Sequence, residues 1–324
     1  MVLAVDVMGF ENPIDEAIKA CRDFVRKNKD VTIILVGKKE SIIKHLKRND
    51  EFEILDAKDE IKMDDNPLFI RNKKESSMYK AVELVANDKA DGVLSAGNTS
   101  CYVAITYMLL KRFNKISKVA FMPWIPTRYK KGFNMLDCGA NKIVNQNDLV
   151  DFAIMADLYN KKVRKIKNPK IGLINLGTED QKGLDYLIEA NKILKNTKEI
   201  NYVGFIEPRY LLEEIVDVAI ADGFTGNITL KTLEGTAKSI SNALKDEFKK
   251  PWNFLGFVLS MCALLSLKKK FDYKNNAGAF VVGLQKIALK THGSADYKQF
   301  YSSLRMLRDT VKSNIINDFK EKFN

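Results

Sequence analysis

Apolar positions along this chain follow two alternating rhythms. Short unbroken runs bounded by glycine, proline or charge read as buried strands, and stretches apolar at every third or fourth position read as helices. Val2–Val7 is the first run, and a helix follows near Pro13 with Ile14, Ala17, Ile18, Cys21 and Val25 on one face. Val31–Val36, closed by Gly37, predicts a second strand, and a short helix is expected around Ser41–Lys47. Ser76–Ala86 has helical spacing through Met78, Ala81, Val82 and Val85. Strands are predicted at Val119–Met122, stopped by Pro123 and Pro126, and at Asn134–Asp137, Ile171–Leu176, Tyr202–Ile206 and Val216–Ala221. Helices are predicted at Leu149–Val163 and Gly183–Leu194. This alternation implies an α/β fold, a mostly parallel sheet flanked by helices on both faces in three layers.

The last third changes character. Asn227–Phe248 predicts one long helix in which Leu230, Leu233, Ala237, Ile240 and Leu244 keep near-heptad spacing, a face for the subunit's interior or for a partner chain. An apolar segment, 251–267, follows between lysine pairs and triplets. It is short for a membrane span, and Trp252 and the lysines suit a lipid headgroup layer. A dimer interface or a core helix fits the same pattern. Residues 227–275 thus form a helical excursion from a single domain spanning 1–324. A strand at Ala279–Leu284 and a closing helix through Phe300, Leu304, Leu307, Val311 and Ile315 complete the chain.

Asp91-Gly92-Val93-Leu94-Ser95-Ala96-Gly97-Asn98-Thr99-Ser100-Cys101 reads as strand, glycine turn and helix start, with Asn98 or Thr99 as N-cap. Such a turn leaves backbone N–H groups facing open space, where an anion can sit. One such turn is ordinary. Its repetition at Met8-Gly9, Gly139-Ala140-Asn141, Gly177-Thr178 and Gly223 to Asn227 suggests a polar floor for a phosphorylated ligand.

With 324 residues, 46% of them hydrophobic, the chain has ample material for a large core. The net charge of +12 favours anionic partners, and no zinc-finger, basic-zipper or RNA-binding signature directs that charge to nucleic acid. Cys21, Cys101, Cys138 and Cys262 lack disulfide or metal spacing, which suits reduced thiols in a cytoplasmic protein. No secretory leader precedes the first strand.

Several short patterns, in order along nearly the whole chain, resemble the PlsX-type phosphate acyltransferases of bacterial lipid synthesis. They include Val5-Asp6-Val7-Met8-Gly9, Met63-Asp64-Asp65, Ser95-Ala96-Gly97-Asn98-Thr99, Leu136-Asp137 with Gly139-Ala140-Asn141, and Gly177 with Glu179 and Lys182-Gly183. Asp222-Gly223-Phe224 with Gly226-Asn227, and His292-Gly293-Ser294, continue the series. Phe10 and Ser100 stand where the family usually has glycine, and Lys142-Ile143 replaces its usual Val-Asp. The resemblance implies acyl transfer from acyl carrier protein to inorganic phosphate, with no metal or other cofactor. It also implies a homodimer and loose association with the inner face of the membrane.

That reaction needs N–H donors and cations for a dianion, and preorganised donors for a thioester oxyanion. Lys182, Asn227 and His292 are the candidate catalytic residues. Lys182 would steady phosphate or oxyanion, although a solvated lysine at a helix start fits as well. Asn227 would donate to carbonyl or phosphate, or serve as a plain cap. His292 would touch substrate, act as an acid–base group, or make only a structural hydrogen bond. Asn98 and Thr99 are assigned to phosphate, with Gly97 in the substrate-binding set beside them. Gly139, Asn141, Gly177, Gly226 and Ser294 complete the substrate-binding set. Asp6, Asp137 and Asp222 at strand ends could suggest a metal site but are read as orienting lysines or backbone turns, and Arg209 is either an ion-pair partner of Glu207, the preferred reading, or a phosphate clamp. Two alternatives stay open: a phosphate acyltransferase using acyl-coenzyme A, and a non-catalytic acyl- or membrane-binding relative. A nicotinamide dehydrogenase is disfavoured, because no GxGxxG follows the first strand.

Overall fold

The computed structural model describes residues 1–129, 131–271 and 277–324. Its strands are β1 (Val2–Asp6), β2 (Thr32–Gly37), β3 (Glu53–Asp56), β4 (Gly92–Ser95), β5 (Ala120–Ile125), β6 (Phe133–Leu136), β7 (Lys170–Ile174), β8 (Asn201–Ile206), β9 (Val218–Ile220), β10 (Ala279–Val282) and β11 (Ile287–Lys290). Its α-helices are α1 (Ile14–Lys27), α2 (Lys39–Ile43), α3 (Ser77–Ala86), α4 (Thr99–Leu110), α5 (Gln146–Lys162), α6 (Asp185–Asn196), α7 (Gly223–Phe248), α8 (Phe254–Lys270), α9 (Tyr297–Lys312) and α10 (Ile315–Phe323). The chain divides into two units: Met1–Trp124 with Ile154–Lys167 and Lys274–Asn324, and Ile125–Ala153 with Asn168–Tyr273.

In the first unit the strands lie in the order β3-β2-β1-β4-β11-β10-β5. All neighbours are parallel except β10, which is antiparallel to both β11 and β5. The central strands are apolar without alternation because both faces are covered: Leu3, Ala4, Val5, Val93, Leu94, Ala288 and Leu289 are fully buried. Helix α9 lays Phe300, Leu304 and Leu307 on this sheet, and α1 packs beside it. In the second unit β6-β9-β7-β8 are all parallel, and α6 contributes Leu187, Ala190 and Leu194 to the core.

Several elements differ from the expected ones. Strand β5 continues through Pro123, which sits opposite Ala279 at the last pair of that ladder, where a missing N–H costs little. Strands β3 and β11 are absent from the pattern expected of the sequence. The closing helix is two helices, parted at Asn314 in a left-handed conformation with φ 55°. Helix α7 starts at Gly223 rather than Asn227, because Asp222 is its N-cap and accepts from the Thr225 N–H at 2.8 Å.

Along α7 the only buried residues are Gly223 and Gly226 among those described, so its heptad-spaced face does not enter this chain's core. Phe248 meets Phe257 of α8 with ring centroids 5.5 Å apart. The apolar segment exposes Trp252 and Leu259, at 77% and 78%. No helix among the described residues is long and apolar enough to cross a membrane. Residues 272–275 of the helical subregion 227–275 lie outside the described residues.

Candidate functional site

In the first unit, the carboxyl ends of the parallel strands β1, β4 and β11 present Asp6, Ser95 and Lys290, with Lys290 in register with Ser95. Asp6 is fully buried. It accepts from the Ser95 hydroxyl at 2.7 Å and from the Met8 N–H at 3.2 Å, and Ser95 in turn accepts from the Gly97 N–H at 3.1 Å. One carboxylate therefore shapes the glycine turns after β1 and β4. Burial pushes the Asp6 carboxyl up to about 6, against the pull of Ser95, Ser77 and Lys290. Burial pushes the Lys290 ammonium down to about 7, opposed by the charges of Asp6 and Glu11. Lys290 donates to the carbonyl of Thr291, at the start of the His292 loop.

Asn98 caps α4 by accepting from the Cys101 N–H at 3.1 Å. Its amide group donates to the carbonyls of Met63 at 2.8 Å and Asp65 at 3.1 Å. The side chain is thus occupied inside the fold, and an anion here would meet the backbone of the first turn and the exposed Thr99. His292 and Ser294 are exposed and bonded to each other, with Nδ1 and Oγ 2.9 Å apart. Their loop is tied down by the Glu11 N–H on the Gly293 carbonyl, 2.9 Å, and by Asn12 on the Ser294 carbonyl, 2.8 Å.

In the second unit the carboxyl ends of β6, β9 and β7 carry the other candidates. Asp137 accepts from the N–H groups of Ala140 at 3.1 Å and Asn141 at 2.7 Å, and from the Asn141 side chain at 2.8 Å. Gly139 has φ +105°, a conformation side chains resist, and a Cβ there would stand 3.2 Å from the Asn227 side chain. Gly226 lies buried against the Asp137 carbonyl. Asp222 accepts from Thr225 and, at 3.1 Å, from the Tyr186 hydroxyl. Partial burial, then the Asp222 charge, push that phenol up to about 12, so it stays a donor at neutral pH.

Lys182 folds over the Gly177 turn and pairs with Glu179 at 3.3 Å, while its ammonium keeps solvent access. Asn175 donates to the Lys182 carbonyl at 2.6 Å and fixes that turn to the end of β7. The structure brings Gly139, Asn141, Gly226 and Asn227 together, and Gly177 with Lys182, within this unit. Gly97, Asn98, Thr99, His292 and Ser294 belong to the first unit. All three strand-end aspartates hold turns, as read from the sequence, and Arg209 pairs with Glu207 at 2.9 Å. No group of three metal-ligating side chains occurs among the described residues. Sequence reasoning missed Lys290 and Tyr186, and gave Ser95 no role beyond its place in the strand–turn motif. For Lys290 a signal existed, since a lysine closes the apolar run Ile287–Leu289 just before the Thr-His-Gly turn.

A family model described as fatty acid synthesis protein matches residues 1–318. The chain is 62% identical over 324 residues to the phosphate acyltransferase of Malacoplasma penetrans, covering 100% of this chain and 98% of that one. It is 46% identical over 325 residues to that of Ureaplasma parvum serovar 3, covering 99% and 97%. Among solved structures, the phosphotransacetylase of Streptococcus pyogenes superposes with a TM-score of 0.63 at 16% identity, covering 98% of this chain and 94% of that one. The 4-hydroxythreonine-4-phosphate dehydrogenase of Klebsiella pneumoniae gives 0.56 at 12% identity, covering 96% and 99%. At those identities the structural likeness shows the fold.

Proposed function

The chain belongs to the PlsX-type fatty acid synthesis protein family of phosphate acyltransferases, and on that premise we propose that it transfers a fatty acyl group from acyl carrier protein to inorganic phosphate. The observation that carries the reading is the carboxyl end of the second unit's sheet, where turns anchored by Asp137 and Asp222 present Asn141 and Asn227, and the neighbouring turn after β7, fixed by Asn175, presents the solvent-accessible ammonium of Lys182. A phosphate oxygen attacks the thioester carbonyl, forming a C–O bond. The resulting oxyanion is held by Lys182 and Asn227, and collapse breaks the C–S bond to release the carrier's thiolate. Thiols have pKa values near 8.5, so this leaving group needs little protonation. Within the first unit, the backbone of α4's first turn and the exposed Thr99, with His292 and Ser294, offer a separate set of donors to an anion. The reaction calls for no cofactor and no enzyme nucleophile.

The positive net charge suits docking of an acidic carrier protein. The heptad-spaced face of α7 is proposed to meet a second copy of the chain, and α8 to rest on the inner face of the membrane where acyl phosphate is consumed. The test is to mix purified protein with hexadecanoyl carrier protein and phosphate and measure acyl phosphate. Loss of one oxyanion donor costs about a hundredfold, so Lys182→Ala should lower kcat to that extent. Product from the coenzyme A thioester alone would transfer the donor assignment to coenzyme A. Wild-type rates in Lys182→Ala would remove Lys182 from the mechanism.

A further inference from the structure

Four large apolar side chains stand in solvent on the very turns that carry the second unit's candidate residues. Ile143 is 80% exposed, Leu176 64%, Phe224 63% and Leu184 60%. Clustered apolar exposure of this kind marks a binding surface.

The contacts between turns set the order of these side chains. The first turn of α7 rests on the Asn141 backbone so closely that a side chain at Gly223 would overlap it. Ile143 lies two residues beyond Asn141, and Phe224 directly follows Gly223. The Tyr186 hydroxyl on Asp222 joins the start of α6, where Leu184 sits, to the start of α7, where Phe224 sits. Asn175, bonded to the Lys182 carbonyl, joins Leu176 to the same turn as Leu184. The strand order β6-β9-β7 gives the same sequence of positions. Strands lie about 4.8 Å apart, so the row crosses roughly 10 Å of the sheet's carboxyl edge.

We propose that this row, Ile143, Phe224, Leu184 and Leu176, is the seat of the substrate's acyl chain and sets its length preference. The inference rests on the phosphate acyltransferase reading. An acyl thioester has a polar reacting carbonyl and an apolar tail, and these turns have the same division. Lys182 and Asn227 offer a cation and an amide, and the apolar side chains lie one or two residues from Gly177, Asn141, Gly223 and Gly183 on the same loops. The chain's own core does not use them. A fatty chain laid along the row would cover them and gain binding with each methylene removed from water.

The experiment compares the full-length protein with Phe224→Ser and Ile143→Ser, using butanoyl and hexadecanoyl thioesters of carrier protein with inorganic phosphate. Losing an apolar contact about half the size of a buried phenylalanine should lower kcat/KM for the hexadecanoyl donor about tenfold in each variant. The rate for the butanoyl donor should stay within about twofold, and Phe224→Leu should keep the wild-type profile. A second arm measures calorimetric binding of an unreactive hexadecanoyl amide analogue, whose Kd should rise about tenfold in Phe224→Ser. An unaltered chain-length profile with unaltered analogue binding overturns the proposal. So does a flat profile accompanied by a changed sedimentation coefficient, which would mean that a second copy covers the row. If the wild type forms no acyl phosphate from either donor, phosphate acyl transfer fails. Loss of analogue binding in Phe224→Ser would still support the row as an acyl seat.

Discussion

Gly226→Ala is a sharp test of whether α7 positions the chemistry. A methyl group at residue 226 would overlap the Asp137 carbonyl oxygen outright and stand 3.1 Å from its carbon. Neither partner yields easily. The Asp137 N–H is bonded to the Ala221 carbonyl at 2.8 Å, and its carboxylate anchors the Ala140 and Asn141 turn. The helix must therefore retreat, by roughly 1 Å, and Asn227 moves with it; displacement on that scale at a reacting centre costs about a hundredfold in rate. Overpacking costs about 1–3 kcal/mol, and the helix propensity of alanine returns about 1 kcal/mol of it. Gly235 on the same helix is the control, since a Cβ there meets nothing within 4 Å. Gly235→Ala should leave kcat unchanged and stabilise by about 0.8 kcal/mol. The assay is acyl phosphate formation at saturating donor and phosphate, with thermal unfolding of both variants. If Gly226→Ala kept the wild-type kcat and melting temperature, the contact with Asp137 would not fix the position of Asn227.

Two further expectations concern charge and surface. Asp6, held near 6 in the folded chain against 3.8 for an ordinary aspartate, binds more protons folded than unfolded between those pH values, so stability falls as pH rises through them. A shift of about two units is worth roughly 3 kcal/mol, and the stability of Asp6→Asn relative to wild type should climb by about that much from pH 4 to pH 6. Lys290, lowered to about 7, adds the opposite limb, with stability recovering as pH rises above that value. Urea midpoints of both proteins across this range decide the matter, and a constant difference would remove Asp6 from the linkage. Leu259→Asp alters a side chain that is 78% exposed on α8 and leaves the Phe248–Phe257 contact in place. It should abolish co-sedimentation with anionic phosphatidylglycerol vesicles, and undiminished binding would move α8 away from the lipid.

The parts of this fold that were legible in sequence are those whose cause is local. Buried parallel strands must be apolar on both faces, so Val2–Asp6, Thr32–Gly37 and Gly92–Ser95 announce themselves as runs, and Asn98 announces its helix because a cap acts within three residues. Glu53–Asp56 does not, because an edge strand pairs on one side and keeps charged ends in solvent. The break at Asn314 also hid, since the apolar spacing of the closing helix runs on across it. The same division governs the candidate site. Glycine turns and strand-end aspartates repeat in the sequence and could be read as a set. The charge of buried Lys290 acts on buried Asp6, and neither residue carries a mark of the other, because strands from opposite ends of the chain meet at β4. A lysine read alone is a solvated lysine. Closing a parallel strand and in register with the serine that bonds a buried carboxylate, Lys290 becomes part of the floor beneath two glycine turns. Only the order of strands in the sheet supplies that fact.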